Sequence, residues 1–374
     1  MRIAVVEPYL DGSHAAWANG YAASSRHDVE VLGLAGRHWK WRMHGAHVAL
    51  AARLTASIEA RGPFEALLVS SMANLAALLG LTRRAVCDAA VALYVHENQL
   101  TFPRSPHDEE DLTYPMINWT SMLAADAVVF NSAFHRDDWF GALPGMLRRF
   151  PDHRHIDLID TVRARTCVAP VGIDLAAIRA HPRRRRGRPL LLWNQRWEHD
   201  QAPDDFVAAL IELDRLDVDF DVAVAGDRAE ATSEALVELR RLLPGRIVHD
   251  GRAEIDDYHR LLRSADVVVS TAHQEFFGVA ITEAVAAGAF PVLPERVVYP
   301  ERIPRRWHAR CLFHDHEGLV DRLRWALEHR PAADAIAAEL ATTMALFDWG
   351  VVAAGYDRLV DELGDARRQP TGTA

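Results

Sequence analysis

Two glutamates, Glu275 and Glu283, stand in the segment STAHQEFFGVAITEAVAAG with seven residues between them. The apolar run ADVVVS predicts a buried strand before them, and a helix is predicted to begin near Gly278. Ligands of open α/β sheets bind at the carboxyl ends of strands, and the free N–H groups of a helix N-terminus suit phosphate. One carboxylate could hold sugar hydroxyls there and the other ribose hydroxyls. The alternative is a capping glutamate and a solvated one, but the flanking Phe-Phe-Gly and the alanine-rich helix favour a binding site.

A second polar segment, LLWNQRWEHDQAP at 191–203, follows the first strand predicted in the second half of the chain. The guanidinium of Arg196 would lie where a diphosphate arrives, and its planar fork suits phosphate oxygens. The alternative is that Arg196 only forms an ion pair with Glu198 or Asp200.

In the first half, the segment YVHENQLTFP at 94–103 places four consecutive polar residues at the end of a predicted strand. They are His96, Glu97, Asn98 and Gln99, and the segment is not a zinc-binding HExxH motif because position 100 is a leucine. His96 could bind a sugar hydroxyl or transfer a proton. A purely structural histidine is the alternative.

The loop YLDGSH at 9–14 follows the first predicted strand. Gly12 allows a ligand to approach the backbone closely, with Ser13 and His14 beside it. A single glycine is a weak signal, well short of a dinucleotide-binding fingerprint.

The segment RHWKWR at 37–42 interleaves basic and aromatic residues. Aromatic rings can stack on unpaired bases while cations neutralise phosphates, so Trp39, Lys40, Trp41 and Arg42 are candidate RNA contacts. The alternative is that the two tryptophans anchor a loop or the start of a helix in the core.

The elements that must position these residues are short apolar runs alternating with amphipathic helical stretches, which predicts doubly wound parallel sheets. Strands are predicted at 2–8, 29–34, 64–70, 89–95, 126–131, 166–171, 189–194, 219–225, 246–249, 265–270, 289–293 and 310–313. Helices are predicted at 46–61, 203–215, 230–243, 255–263 and 278–287, among others. The predicted organisation is a Rossmann-like domain over 1–175, an arginine-rich linker over 176–188, a second Rossmann-like domain over 189–345 with a cleft between the two, and a helix with a polar tail over 346–374.

Composition limits the classes of function. The net charge of −10 argues against a general nucleic-acid binder, but residues 1–188 carry 22 Lys+Arg against 19 Asp+Glu, which permits a polyanionic partner there. No apolar stretch is long enough to cross a bilayer and no signal peptide is recognisable, so we expect no membrane partner. The three widely spaced cysteines make neither a disulfide framework nor a zinc site, which suits the cytoplasm.

Taken together, several of these segments resemble a known family. The Glu–seven residues–Glu element with the upstream Arg196 loop resembles the retaining GT-B glycosyltransferases. The combination of EPYLDGSH, RHWKWR, YVHENQLTFP, ADAVVFNSAFH, LLWNQRWEHD and STAHQEFFGVAITEAVAAGAFPVLPERVVYPE resembles the tRNA-queuosine alpha-mannosyltransferase family over most of residues 1–305. The resemblance implies transfer of mannose from GDP-mannose to the cyclopentene-diol of queuosine, at the wobble position of aspartate tRNA.

The resemblance also implies roles for individual residues. Catalytic roles fall to His96, Arg196 and Glu275. Donor-binding roles fall to Gly12, Ser13, His14, Asn194, Arg196, Gln201, Phe277, Gly278, Val279 and Glu283. Acceptor-binding roles at the junction of sugar and acceptor fall to Glu97, Asn98 and Gln99. The resemblance does not imply a tRNA contact for Trp39, Lys40, Trp41 and Arg42, which is our own hypothesis.

One residue departs from the family pattern. Related glycosyltransferases carry a lysine five residues after the diphosphate-binding arginine, whereas this chain has Gln201. The site therefore loses a positive charge that would face a diphosphate. Arg228 or Arg252 could compensate, the donor could bind more weakly, or the enzyme could use a different donor or acceptor.

The expected reaction proceeds with retention and without an enzyme nucleophile, because the leaving diphosphate is the natural base for the incoming hydroxyl. No acidic cluster with the ligand count for Mg²⁺ or Mn²⁺ is recognisable, so we expect neither a metal nor a cofactor besides the donor substrate, and no DNA partner. Three alternatives remain: a GT-B transferase acting on a glycan, lipid or small molecule, a sugar-nucleotide epimerase on the same fold, and a binding module without turnover.

Overall fold

The computed structural model describes residues 1–103, 110–184, 187–226 and 233–368. Tertiary contacts divide the chain into two units. The first contains residues 1–172 together with the C-terminal segment from Trp349, and the second contains Ile173–Asp348. Each unit is built on one six-stranded sheet in which all paired strands are parallel. The predicted α/β class with two Rossmann-like domains is confirmed. No helix within the described ranges combines the length and apolar character needed to cross a membrane.

The strands of the first unit are β1 (Arg2–Leu10), β2 (Asp28–Ala35), β3 (Ala66–Ser70), β4 (Ala90–Val95), β5 (Ala127–Phe130) and β6 (Thr166–Val168). Its helices are α1 (Gly12–Ser24), α2 (Trp39–Arg61), α3 (Leu75–Thr82), α4 (Thr113–Ala124), α5 (Ala133–Leu147), α6 (Ile159–Arg163) and α16 (Trp349–Arg368). The strand order is β2-β1-β3-β4-β5-β6, so the order reverses between β1 and β3. Strands β3 and β4, with the sequences ALLVS and AVALYV, are buried at every position because helices cover both faces of a parallel sheet.

Helix α2 begins seven residues earlier than the predicted 46–61. Its buried positions include Met43, Ala46, Leu50 and Leu54, which recur every three or four residues, and the half-buried Trp39 extends this stripe to the first turn. The basic residues Lys40 and Arg42 and the exposed Trp41, which lie between Trp39 and Met43, hide the stripe in the sequence. The segment RHWKWR therefore leads into a helix and supplies its first turn.

The strands of the second unit are β7 (Leu190–Trp193), β8 (Asp221–Ala225), β9 (Ile247–Gly251), β10 (Val267–Val269), β11 (Phe290–Pro294) and β12 (Leu312–Phe313). Its helices are α7 (Leu175–Arg179), α8 (Pro203–Arg215), α9 (Glu234–Leu242), α10 (Ile255–Ser264), α11 (Val279–Ala286), α12 (Tyr299–Arg302), α13 (His308–Cys311), α14 (His316–Glu328) and α15 (Arg330–Met344). The order β12-β11-β10-β7-β8-β9 reverses between β10 and β7. The carboxyl ends of these two central strands are therefore the expected ligand-binding edge.

The unit boundaries differ from the predicted segments in two respects. The predicted linker 176–188 overlaps α7, which belongs to the second unit. The predicted C-terminal helix, seen as α16, belongs to the first unit. The buried Asp357 of α16 accepts hydrogen bonds from the Tyr21 hydroxyl at 3.1 Å and the Arg26 N–H at 3.1 Å, and these long-range contacts leave no local pattern in the sequence.

Candidate active site

Two loops leave the carboxyl ends of β7 and β10 and are joined by hydrogen bonds. The Thr271 hydroxyl lies 2.8 Å from the carbonyl oxygen of Gln201 and 2.9 Å from that of Ala202. The His273 N–H donates to the Asp200 carbonyl at 2.7 Å. Segments 194–202 and 270–278 therefore form one polar surface at the point where the strand order reverses.

Glu275 lies in the loop between β10 and α11. Its Oε1 accepts a hydrogen bond from the Phe277 N–H at 3.3 Å. Burial raises the pKa of the Glu275 carboxyl, while the N–H groups of Phe277 and Gly278 and the charge of Arg196 act to lower it. The carboxylate and the guanidinium thus act on each other electrostatically across the two loops.

The start of α11 requires a glycine and is held by a buried arginine. Gly278 precedes the helix with a φ of 79°, in the left-handed region that only glycine adopts readily. Arg302 donates from Nε to the Phe277 carbonyl at 3.2 Å, and its guanidinium carbon lies 4.1 Å from the centre of the Phe277 ring. These contacts fix the first turn of α11, which begins at the half-buried Val279.

Glu283 lies within α11 and is paired with a tyrosine from α10. The Tyr258 hydroxyl donates to Glu283 Oε2 at 2.8 Å, and Asn194 Nδ2 donates to the Tyr258 oxygen at 3.1 Å. Burial, with a smaller contribution from the charge of Asp174, raises the pKa of Glu283 to about 7 against the effect of the Tyr258 hydrogen bond. This carboxyl therefore changes its protonation state near neutral pH.

Arg196 is paired with both carboxylates that the sequence offered as alternatives. Its guanidinium lies 3.3 Å from Glu198 Oε2 and 3.4 Å from Asp200 Oδ2, and about half of the side chain is exposed. Gln201 Nε2 donates to the same Asp200 oxygen at 2.9 Å. Of the two arginines suggested as compensation, Arg252 follows β9 and is exposed, whereas Arg228 lies outside the described residues.

The loop surface carries an unusual concentration of unsatisfied polar atoms. Five buried side-chain atoms have no hydrogen-bond partner among the described residues: Asn194 Oδ1, Gln195 Nε2, Asp200 Oδ1, Gln201 Oε1 and Gln274 Nε2. Buried polar atoms are nearly always paired, so such a cluster in one place points to a site that hydrogen-bonds a ligand or ordered water.

In the first unit, the buried carboxylate of Glu7 lies close to two histidines near the carboxyl end of β1. Glu7 Oε2 lies 3.0 Å from His14 Nδ1 and 3.6 Å from His96 Nε2, and Glu7 Oε1 accepts the Tyr9 N–H at 2.8 Å. The three ligand-type atoms of Glu7, His14 and His96 lie within 4.8 Å of one another, a spacing at which a metal ion could be held. Each Glu7 oxygen accepts one of these hydrogen bonds, whereas the buried His96 Nε2 has no hydrogen-bond partner among the described residues.

His96 is enclosed by aromatic rings. Trp17 and Tyr94 contact it with ring centroids at 4.6 Å and 4.7 Å. Burial, and then the neighbouring charges of His14 and His135, lower the pKa of His96 well below its ordinary value. The imidazole is therefore neutral at neutral pH, a weak base that could accept a hydrogen bond.

The three residues after His96 differ in exposure. Asn98 is fully buried, and its Oδ1 accepts the N–H groups of Leu100 at 3.0 Å and Thr101 at 2.9 Å, so this side chain shapes the loop. Glu97 and Gln99 are half-buried, and Gln99 Nε2 donates to Glu97 Oε1 at 3.1 Å. Only these two remain accessible to an acceptor molecule.

Gly12 and Ser13 are exposed at the first turn of α1, directly before His14. Gly12 has a φ of 48°, and a Cβ built on it would meet no atom within 4 Å. A ligand can therefore approach this helix N-terminus from solvent.

The basic and aromatic segment at the start of α2 divides between core and surface. Trp39 is half-buried with its ring centre 5.1 Å from that of Tyr114, whereas Trp41 is 64% exposed. Lys40 is exposed, and Arg42 donates from Nη2 to the Ala35 carbonyl at 3.0 Å. The apolar cluster beneath Trp39 also includes Tyr9, so α2 begins near the loop that carries His14.

Sequence reasoning did not identify Glu7, Tyr258 or Arg302. A carboxylate inside the apolar strand segment IAVVEP was a usable signal for Glu7, because unpaired charges are rarely buried. No local pattern marks Tyr258 or Arg302, since each acts on residues about 25 positions away in the sequence.

Two known protein families match this chain, one along each of the two units. Residues 2–173 match a family profile described as tRNA-queuosine alpha-mannosyltransferase N-terminal, and residues 176–340 match glycosyl transferases group 1. A Drosophila melanogaster protein named tRNA-queuosine alpha-mannosyltransferase is 31% identical over 313 residues, which cover 81% of this chain and 82% of that protein.

Solved structures of glycosyltransferases share the fold. Sucrose-phosphate synthase from Thermosynechococcus elongatus superposes with a TM-score of 0.72 at 15% identity, covering 98% of this chain and 100% of that one. The catalytic domain of starch synthase IV from Arabidopsis thaliana, bound to ADP and acarbose, gives 0.71 at 11% identity, covering 97% and 99%. The fold is therefore the GT-B fold predicted from the sequence.

Proposed function

This chain belongs to the tRNA-queuosine alpha-mannosyltransferase family and is a hexosyltransferase, and from that premise we propose that it transfers mannose from GDP-mannose to the cyclopentene-diol of queuosine in the anticodon of aspartate tRNA, in the cytoplasm. The observation that carries the proposal is the 31% identity to the Drosophila protein of that name, which extends over both units.

The donor half of the proposal is supported by the loop surface between β7 and β10. Glu275 would hold mannose hydroxyls, Glu283 the ribose, and Arg196 the diphosphate together with the N–H groups at the start of α11. The unsatisfied atoms of Asn194 and Gln201 are suited to the remaining polar groups of a nucleotide sugar.

We propose a transfer with retention, in which the acceptor hydroxyl attacks the face that the diphosphate leaves. The bond from the anomeric carbon to the leaving oxygen breaks, the bond to the acceptor oxygen forms, and the acceptor proton passes to the departing diphosphate. Arg196 and the α11 N-terminus would stabilise the negative charge that grows on the leaving group. Since these groups supply that stabilisation, we expect turnover to persist in excess EDTA.

The acceptor half of the proposal assigns the first unit to tRNA. The neutral His96 would lie at the junction of sugar and acceptor, with Gly12 and Ser13 near the donor. The exposed Trp41 ring with Lys40 beside it matches the pairing of stacking surface and cation that single-stranded RNA recognition uses.

The decisive experiment incubates the purified chain with GDP-mannose and queuosine-containing aspartate tRNA, followed by mass spectrometry of the digested nucleosides. One hexose added to queuosine is the expected result. Aspartate tRNA that carries guanine at the wobble position, and a DNA oligonucleotide of the anticodon-loop sequence, are the matched controls and should stay unmodified. Label on a saccharide only, or conversion of GDP-mannose without any acceptor, would replace the proposal with one of the other enzyme classes.

A further inference from the structure

Three elements converge on the carboxylate of Glu283. Tyr258 on α10 contacts Oε2, and Asn194 at the end of β7 contacts Tyr258. Asn194 Nδ2 also donates to the carbonyl of Ala280, on the same helix as Glu283, at 2.9 Å. The carboxylate is thus connected to β7, α10 and α11 through one chain of hydrogen bonds.

The direction of these hydrogen bonds is determined by what each group can offer. The Ala280 carbonyl only accepts, so the Asn194 atom facing it must be the amide nitrogen. That nitrogen also donates to the Tyr258 oxygen, and the single Tyr258 proton then points to Glu283. Burial raises the pKa of Tyr258 well above its ordinary value, so the hydroxyl keeps this proton.

We propose that Tyr258 is a positioning residue for nucleotide-sugar binding: its hydroxyl occupies Glu283 Oε2, fixes the carboxylate, and leaves Oε1 to accept hydrogen bonds from the ribose. The inference rests on the proposed role of Glu283 in donor binding. A carboxylate that receives a donated hydrogen bond is stabilised in its ionised form, which is the form that can accept from two hydroxyls.

Two other influences oppose Tyr258. Burial and the negative charge of Asp174, at the N-terminus of α7, both favour the protonated carboxyl. The neighbouring strands β10 and β11, VVV and FPVLP, are uncharged, and His259 on α10 is kept neutral by burial and by His181. Helix α15, which also packs against α11, carries Arg330, Asp334 and Glu339; Arg330 pairs with Asp266, and Glu339 pairs with Arg306. Arg179 lies at the end of α7. Of the neighbouring groups, Tyr258 and Asp174 act on the pKa of Glu283, and they act in opposite directions.

The sign of the pH dependence follows. The pKa of Glu283 is raised to about 7, so the carboxylate gains a proton, and loses one ribose acceptor, as the pH falls through that value. Affinity for GDP-mannose should decrease on the acid side, and the diphosphate of this ligand stays ionised throughout the range. Removing the Tyr258 hydroxyl should move the midpoint upward, and removing the Asp174 charge should move it downward.

The test is calorimetric titration of GDP-mannose into wild type, Tyr258→Phe and Asp174→Asn between pH 5.5 and 9. Tyr258→Phe should shift the midpoint up by about one pH unit, which makes binding at pH 7 roughly fivefold weaker than in wild type and lets it recover at pH 9. Asp174→Asn keeps a side chain that can cap α7 and should shift the midpoint down. Tyr356→Phe, which removes a buried tyrosine hydroxyl from the first unit, is the matched control and should keep the wild-type profile.

The outcomes separate the inference from the function on which it rests. If Glu283→Gln binds GDP-mannose as tightly as wild type, the proposed donor role of Glu283 is wrong. A second outcome begins with a Glu283→Gln variant that binds GDP-mannose more weakly and no longer loses affinity as the pH falls. If Tyr258→Phe then keeps the wild-type midpoint, or loses the same factor of affinity at every pH, Tyr258 is not the positioning residue. Should Tyr258→Phe fail to fold, an unchanged midpoint for Asp174→Asn would overturn the same electrostatic account.

Discussion

At the scale of single residues, the Asp200 carboxylate limits the positive charge that the loop after β7 would present to a diphosphate. Its buried carboxylate is shared between the guanidinium of Arg196 and the amide of Gln201. An amide neutralises no charge, so among the described residues Arg196 is the cation that pairs with both Asp200 and Glu198. If Arg196 binds the donor diphosphate as proposed, Gln201 would affect the donor through Arg196 as well as through its own missing charge.

Gln201→Lys should strengthen donor binding. The lysine ammonium would pair with Asp200 and release Arg196 toward the diphosphate, and we expect a KM for GDP-mannose lower by about three- to tenfold with little change in kcat. Steady-state kinetics at two salt concentrations measure this. The KM of the lysine variant should depend more strongly on salt than the KM of wild type, because salt screens the added charge contact. An unchanged or higher KM would show that Asp200 and Arg196 are already arranged for the donor.

Arg196→Ala should act mainly on kcat. If the guanidinium stabilises charge that grows on the leaving diphosphate, its removal should lower kcat by about 10²–10³-fold. Arg241→Ala removes an exposed arginine from α9 in the same unit and is the matched control, for which we expect a change of less than about threefold. A rise in KM alone for Arg196→Ala would mean that the arginine binds the ground state only.

At the scale of elements, Gly278 sets where α11 begins. Its φ of 79° is strained for any residue with a Cβ, although the space around it is ordinary. Gly278→Ala should therefore destabilise the protein by about 1–2 kcal/mol, which denaturant unfolding can measure. We also expect weaker donor binding, because the Phe277 and Val279 N–H groups would be displaced. Gly245→Ala, an open glycine without positive φ, is the control.

The first turn of α2 separates a structural tryptophan from an accessible one. Trp41→Ala should weaken binding of queuosine-containing tRNA by about tenfold without lowering stability, since base stacking contributes about 1–3 kcal/mol. Trp39→Ala should lower stability, because its ring packs against Tyr114. Filter binding measures the tRNA affinity of both variants, and thermal unfolding measures their stability. If Trp41→Ala binds tRNA as tightly as wild type, this segment is not part of the proposed acceptor surface.

The predictability of these elements depends on the range of the contacts that form them. Strands such as ALLVS and AVALYV are predictable because burial on both faces leaves a continuous apolar run. The loops with Glu275 and Arg196 are predictable for the same reason, since they follow such strands. The pairing of Tyr258 with Glu283 is not, because it depends on how α10 packs beside α11, and the early start of α2 is hidden by its polar residues.

At the scale of the whole molecule, the first unit is completed by the last helix of the chain. Trp17 Nε1 donates to the Tyr356 hydroxyl at 3.2 Å, and Asp357 receives the hydrogen bonds of Tyr21 and Arg26. Asp357→Ala leaves buried donors without an acceptor and should destabilise the protein by about 2–4 kcal/mol. Denaturant unfolding followed by tryptophan fluorescence measures the loss, and the exposed Asp365→Ala is the control.

This return of the chain has a consequence for biosynthesis. All 176 residues of Ile173–Asp348 must leave the ribosome before α16 can join the sheet that begins at residue 2. At ordinary translation speeds this interval lasts roughly 10–35 s. During it, Trp17 and Tyr21 of the nascent chain lack the partners that bury them in the finished protein. Any frameshift or stop codon upstream of Trp349, however far from the residues proposed to bind the sugar nucleotide, therefore yields a first unit with an open apolar face.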